Sequence, residues 1–270
     1  MNSFTFHRPQ SVSDAVALLR ASASAKLLAG GQSLLPVMKL ELAEPSDLVS
    51  LAAISELREI RSEDGDLVVG ALATHDEVAT SAEVRRRIPG LADLAAGIGD
   101  AQVRNRGTLG GSLAHADPAA DYPAAVLALG ATIETDRRRI AADDFFTGLF
   151  ATALAADEVI TAVRFPVPER SAYAKFPHRA SKYALVGVMV ARPRKPGDGV
   201  RVAVTGAGPK AFRVPALEAA LAARFSPEAV GAGDLASVAP ADLRSDGEAS
   251  SEYRAHLVTV MARRAIQACL

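Results

Sequence analysis

Two short glycine-rich segments carry most of the chemical information in this chain: Ala29-Gly30-Gly31-Gln32-Ser33-Leu34 and Thr108-Leu109-Gly110-Gly111-Ser112. Glycine reaches positive φ without steric cost and leaves no Cβ between a ligand and the backbone. Successive N–H groups in such turns form a concave nest suited to phosphate oxygens. Gln32, Ser33, Thr108 and Ser112 add side-chain donors. Neither spacing is that of a P-loop, which needs Gly-Lys-Ser/Thr, or of the Rossmann fingerprint. Taken singly, each reads as an ordinary turn. As a pair they say more: a charge-assisted hydrogen bond contributes about 1.5–3 kcal/mol, whereas association costs about 4–15 kcal/mol. Two nests converging on one diphosphate would hold a dinucleotide that one would hold poorly.

Other chemistry is thinly represented. His115 and His178 have no companions at metal-ligand spacing, and no Ser/His/Asp arrangement is apparent. The single cysteine, Cys269, excludes an internal disulfide and fits a reducing compartment. An iron–sulfur cluster needs about four thiolates. Any redox role of this chain must therefore use an organic cofactor.

The elements that would position the two segments alternate irregularly. Ser11 and Asp14 open a helix whose apolar face is Ala15, Val16, Leu18 and Leu19. Residues 26–29 form a strand running into Gly30, residues 47–51 and 66–72 form further strands, and Thr74 caps a helix. Residues 95–120 have no clean period and read as a long functional loop. Asp121 then caps a helix over 122–129 that closes at Gly130, while Asp117 before Pro118 reads as a turn residue. A hairpin around Asp136-Arg137 and a strand over 158–165 lead to Pro166-Val167-Pro168, the candidate domain boundary. Three strands follow (172–176, 184–191 and 200–205), then helices over 214–224 and 252–268. The class is α+β.

Of 270 residues, 49% are apolar and 23% charged, ordinary for a globular protein. With 30 basic and 31 acidic residues the net charge is −1, so no global field attracts nucleic acid or an anionic membrane. Arg85-Arg86-Arg87 and Arg137-Arg138-Arg139 read as solvated faces or turns. No apolar run is long enough to span a bilayer, and Met1–His7 lacks the pattern of a secretory signal.

In order and separation the two glycine segments resemble the diphosphate-binding loops of the vanillyl-alcohol-oxidase (PCMH) type FAD fold. More narrowly, they resemble those of the medium, FAD-binding subunits of the carbon monoxide dehydrogenase and xanthine dehydrogenase family. Supporting stretches are Phe6-His7-Arg8-Pro9, Leu34 to Lys39, Gly70 to His75, Gln102 to Gly107, Ala116 to Asp121, Lys175-Phe176 through Tyr183-Ala184, and Glu252-Tyr253-Arg254. The resemblance spans essentially the whole chain. It implies an FAD-binding domain over residues 1–168, with subdomains of about 1–55 and 56–168. A C-terminal flavoprotein domain over 169–270 would hold an antiparallel three-stranded sheet and helices.

Carried over by position, the resemblance implies that Gly30, Gly31, Gln32, Ser33, Thr108, Gly110, Gly111 and Ser112 cradle the FAD diphosphate. Asp121 would bond the cofactor near its ribose and phosphates, and Tyr183 would lie against the isoalloxazine. Leu28, Ala29, Leu34, Thr74, Val159 and Lys182 complete the implied set. Three positions depart from many relatives: Gln32 replaces histidine, Ser112 replaces asparagine, and Lys182 stands where an acidic residue is common. The first two keep a hydrogen-bonding side chain, whereas the third changes the charge beside the flavin. No catalytic residue and no metal ligand is assigned.

The resemblance further implies an oxidoreductase complex, a dimer of heterotrimers. A small partner subunit would hold two [2Fe–2S] clusters and a large one the molybdenum cofactor. Electrons would pass from the nearer cluster through FAD to a quinone, a nicotinamide or oxygen. The expected compartment is the cytoplasm, the inner face of the membrane being an alternative reached through the complex. Two rivals stay open: a self-sufficient single-chain FAD oxidoreductase of the same fold, and a non-catalytic nucleotide-binding module.

Overall fold

Short strands and a helix build a small parallel sheet at the start of the chain. Asp47–Ser50 lies at its centre, flanked by Thr5–His7 and Lys26–Leu28. The helix Val12–Ala21 begins at Ser11, whose hydroxyl accepts the Asp14 amide at 3.1 Å. It buries Ala15, Val16 and Leu19 against Val49, Leu51 and Ile54. This computed structural model describes residues 2–195, 197–231 and 238–270.

A second, wholly antiparallel sheet follows, in the spatial order Ile60–Glu63, Asp66–Gly70, Ile160–Phe165, Thr132–Thr135, Arg139–Ala141. Its first hairpin closes on Asp64-Gly65, both at positive φ (53° and 89°), the two-residue turn whose twist matches that of paired strands. The stretch 95–120, expected as a loop, instead contains the short helices Ala101–Arg104 and Leu109–His115. The Asp100 carboxylate caps the first, accepting from Val103 N at 2.8 Å, and Thr108 caps the second. Burial of Leu109, Gly110 and Leu113 stabilises a helix that its glycine pair disfavours.

The C-terminal sheet has four strands rather than three: Arg170–Pro177, Ala184–Arg192, Arg201–Thr205 and Phe212–Arg213. The fourth is two residues long, too short to leave a pattern in the sequence. Along Ala184–Arg192 successive side chains point to opposite faces, and both faces are covered. Val186, Val188 and Val190 meet Leu257, Met261 and Ile266 of the long helix Ser251–Cys269. Met189 and Ala191 join the core shared with the helices Pro89–Ala96 and Tyr122–Ala128. A strand buried on both sides reads as a continuous apolar run, as this one does.

Arg254 locks the long helix to that sheet. Its guanidinium donates to the carbonyls of Leu185 (2.7 Å) and Gly206 (2.9 Å) and to both Asp246 oxygens at 2.8 Å. Only 3% of the residue is exposed, so truncation would strand buried acceptors. Arg254→Met is therefore expected to lower stability by about 3 kcal/mol in urea unfolding, with an unchanged slope.

Candidate functional site

A cavity of about 600 Å³ lies along the seam between the two N-terminal sheets and reaches the C-terminal sheet, within the range of about 300–1,000 Å³ usual for ligand pockets. The first glycine segment forms one wall. Strand Lys26–Leu28 ends there, Gly31 turns the chain at φ +75°, and helix Leu34–Lys39 begins. The amides of Gly30 through Leu34 donate to no acceptor among the described residues, and Ser33 makes no side-chain cap. Those donors face a concave surface without an internal partner, the arrangement expected of an anion nest.

The second segment is built differently from the expectation. Its amides are already used: Leu109 donates to Ala73 O (3.0 Å), Gly110 to Ala71 O (2.8 Å), Gly111 to Thr108 Oγ1 (3.2 Å) and Ser112 to Thr108 O (3.0 Å). A Cβ on Gly110 would stand 2.6 Å from the Ala71 Cβ and 2.8 Å from its carbonyl oxygen. Glycine is required there by contact with Ala71 rather than by room for a ligand. The segment offers a wall with little side chain, carrying the Thr108 and Ser112 side chains.

The two segments touch. A Cβ on Gly30 would overlap the carbonyl of Arg106, and one on Gly111 would lie 3.6 Å from the Cβ of Ala29. Residues from both, Gly30, Gly31, Gly110 and Gly111 included, line the one cavity.

Every residue of the sequence-derived set lines this cavity except Thr74. Thr74 instead closes a capping box with Glu77, its hydroxyl accepting Glu77 N at 3.1 Å while its own amide donates to the Glu77 carboxylate at 2.7 Å. Its backbone bridges to Thr108, so it supports the second segment from behind. Asp121 departs in another way. It sits at the start of helix Tyr122–Ala128, but its side chain caps nothing. Its Oδ1 accepts the Tyr173 hydroxyl at 2.6 Å, and the Lys175 ammonium lies 3.0 Å from Oδ1 and 3.2 Å from Oδ2. Burial pushes the Asp121 carboxyl above its ordinary range, opposed by the charge of Lys175 and the Tyr173 hydrogen bond.

Near Asp121, Lys182 and Tyr183 occupy the far end of the cavity. The Tyr183 hydroxyl is pushed up by burial and by the nearby Asp117 and Asp121 carboxylates.

Two wall residues were not singled out from the sequence. Glu158 has a fully buried side chain, and its carboxylate accepts Arg138 at 2.8 Å, Thr135 Oγ1 at 2.8 Å and Ala155 N at 2.9 Å. The Arg138 hydrogen bonds hold its carboxyl down at about 2. Arg138 lies in an exposed turn, as its sequence suggests, and from there it also neutralises Glu158. His75 is 95% buried, with its ring 5.3 Å from that of Tyr122, and neither His75 Nδ1 nor the Tyr122 hydroxyl has a partner among the described residues. Burial, with help from Arg104, pushes the imidazole down to about 4. No local pattern announces either residue, because each owes its burial to segments distant in the chain.

Residues 2–168 match the family described as the FAD binding domain in molybdopterin dehydrogenase, and residues 171–269 match the carbon monoxide dehydrogenase flavoprotein C-terminal domain. The chain belongs to the molybdenum hydroxylase flavoproteins. It is similar to the carbon monoxide dehydrogenase medium chain of Hydrogenophaga pseudoflava, 38% identical over 98% of this chain and 96% of that one. It is also similar to the nicotine 6-hydroxylase medium subunit of Paenarthrobacter nicotinovorans, 41% identical over 96% and 94%. A solved H. pseudoflava carbon monoxide dehydrogenase superposes with a TM-score of 0.91 at 39% identity, covering 99% of this chain and 97% of that chain. These flavoproteins are oxidoreductase subunits with FAD as their own cofactor, and the free amides, flanking glycines and cavity described above fit such a dinucleotide.

His75 gives the site a pH signature. The fold holds the imidazole neutral, so between pH 6.5 and about 4 the unfolded chain binds a proton that the native chain refuses. Stability is full above pH 6.5 and falls as pH drops toward 4, by about 3 kcal/mol at about 1.4 kcal/mol per pH unit. His75→Leu is expected to flatten that part of the stability curve, measured by urea unfolding at stepped pH.

Proposed function

We propose that this chain is the electron-relay subunit of a heteromeric molybdenum hydroxylase, carrying FAD between the [2Fe–2S] clusters of a small partner and a terminal acceptor. The observation that carries the reading is the contact between the two glycine segments, beside a row of unpartnered amides, on one cavity. FAD supplies a centre that holds one or two electrons, which suits a junction between single-electron clusters and a terminal acceptor. Residues 1–168 would form the cofactor domain and 169–270 a flavoprotein domain that closes one end of the cavity.

The chain's own residues would divide the work as follows. The amides of Gly30, Gly31, Gln32 and Ser33 would hold the diphosphate, with the Thr108 and Ser112 hydroxyls on its other side. Gly110 and Gly111 would keep that side free of side chains. Leu28, Ala29, Leu34 and Val159 would furnish apolar walls. Asp121 would keep capacity at Oδ2 for a cofactor hydroxyl, and Tyr183 would lie against the isoalloxazine. Thr74 would act only through Thr108. Lys182 would set a positive charge near the flavin, where relatives often have a negative one.

The large partner, with the molybdenum cofactor, would oxidise the substrate, so this chain alone would bind FAD and oxidise none. Curated relatives include carbon monoxide, nicotine and glyceraldehyde enzymes, so the substrate class follows the large subunit. The complex would be cytoplasmic and built of paired heterotrimers, as the resemblance implies; among the described residues no helix is long and apolar enough to cross a membrane.

Incubation of the purified chain with FAD, followed by desalting, is expected to leave about one flavin per chain by its visible absorption. A colourless protein would sink the proposal. Copurification with molybdenum and iron–sulfur subunits separates it from a self-sufficient flavoenzyme, which would carry flavin and turn over alone. Gly30→Ala should lower FAD affinity at least about tenfold, because the added methyl drives the first segment off the Arg106 carbonyl. Lys182→Glu should lower the two-electron flavin potential by an amount on the order of 30 mV, equivalent to about 1.4 kcal/mol. Redox titration of the complex reads it.

A further inference from the structure

The hairpin between strands Arg170–Pro177 and Ala184–Arg192 turns through His178 to Tyr183 and brings Ser181, Lys182 and Tyr183 to the cavity. Hydrogen bonds within the turn shape it: His178 N donates to Tyr183 O at 2.8 Å, Lys182 N to His178 O at 3.0 Å and Ser181 N to His178 Nδ1 at 3.1 Å. None of these sets where the turn lies relative to the rest of the cavity. Lys182 also sits at φ +63°, a conformation that side-chain-bearing residues rarely adopt.

Lys175, on the strand leading into the turn, supplies a buried external tie. Its side chain is 10% exposed, and an ammonium has three protons to place. They reach three segments: the Gly97 carbonyl at the end of helix Pro89–Ala96 (2.7 Å), the Asp121 carboxylate (3.0 Å) and the Lys182 carbonyl (3.1 Å). The first two belong to the N-terminal part of the chain and the third to the cavity turn. Two other ties are weaker restraints. Ala184 N donates to Ala119 O at 3.2 Å just past the turn, and His178 meets the exposed Glu248 at 3.0 Å. A charge-assisted hydrogen bond is stronger than a neutral one, and Lys175 joins the turn to two other segments at once.

We propose that Lys175 is a positioning residue for the flavin site, joining the Asp121 carboxylate and the Lys182 carbonyl so that Tyr183 is held against the cavity. The proposal rests on the reading of that cavity as the FAD site. Lys175 touches no cofactor itself; it acts through the backbone of Lys182. Asp121 anchors this strut, which accounts for a buried carboxylate that caps no helix.

Two measurements on the full chain test it, and the first needs no flavin. In Lys175→Met, hydrogen exchange of the amides of residues 181–184 is expected to quicken about tenfold, the loss of one charged hydrogen bond. Exchange in strand Asp66–Gly70 should stay unchanged. Equal acceleration in both places would mean that Lys175 only stabilises the fold, and no acceleration would overturn the proposal outright. The second measurement is flavin emission, which a neighbouring tyrosine quenches by electron transfer. Tyr183→Leu and Lys175→Met should each raise emission at least twofold per bound FAD. Lys175→Met added to Tyr183→Leu should raise it no further, and Lys175→Arg should restore part of the quenching. Emission unchanged in Lys175→Met, or raised equally in the Tyr183→Leu background, would refute the mechanism. If the parent chain retains no FAD, the functional reading falls, while the exchange result still decides whether Lys175 holds the turn. Lys175→Gln, which keeps one donor, decides the same comparisons should Lys175→Met fail to fold.

Discussion

Backbone pressed on backbone at the two glycine segments is the constraint on which the cavity depends. At Gly30 the chain meets the Arg106 carbonyl, and at Gly110 it meets Ala71, at separations that admit no Cβ. The first segment continues from the parallel sheet, and the second is tied to the end of the antiparallel sheet through Gly110 N and Ala71 O. Their contact therefore sets the two sheets at one spacing, and the cavity is the seam that this spacing leaves. A single methyl at either point would move a sheet rather than a side chain, because interiors packed this closely transmit displacement.

The two sides of that seam are chemically unlike. On one, amide donors of Gly30 to Leu34 are left without internal partners; on the other, the donors of Leu109 to Ser112 are already spent. These donors are partly exposed and unpaired within the described residues, so the free row is the part of the site open to a ligand with acceptor oxygens. The consumed row is structural, and it keeps its wall rigid and low. Asymmetry of this kind lets one side bind while the other defines the gap.

Charge is placed sparingly around this seam, and each buried charge has a partner. Arg138 answers Glu158 behind the apolar wall, and Lys175 answers Asp121 where the C-terminal sheet closes the cavity. Removing one member of such a pair leaves an uncompensated charge in a poorly solvated place. Helix Tyr122–Ala128, buried along its whole length, packs against the C-terminal sheet and carries Asp121 at its start. One helix start thus links the core of the N-terminal part, the third sheet and the turn bearing Tyr183.

By itself the sequence determined whatever depends on neighbours in the chain. The Ser11 and Thr74 caps, the turn at Gly30-Gly31, the hairpin at Asp136-Arg137 and the apolar run of residues 184–191 are all written in local spacing, since φ/ψ preference and side-chain period act over a few residues. The family resemblance likewise rested on short stretches in order. Tertiary structure alone decided the rest. Packing on Ala71, forty residues away, makes a helix of Leu109–His115 and spends its amides. The pull of Tyr173 and Lys175, more than fifty residues on, turns Asp121 from a cap into an ion pair. Burial assembled from several segments orphans His75 Nδ1. Desolvation and long-range contact belong to the folded surface, and no period in a chain encodes them.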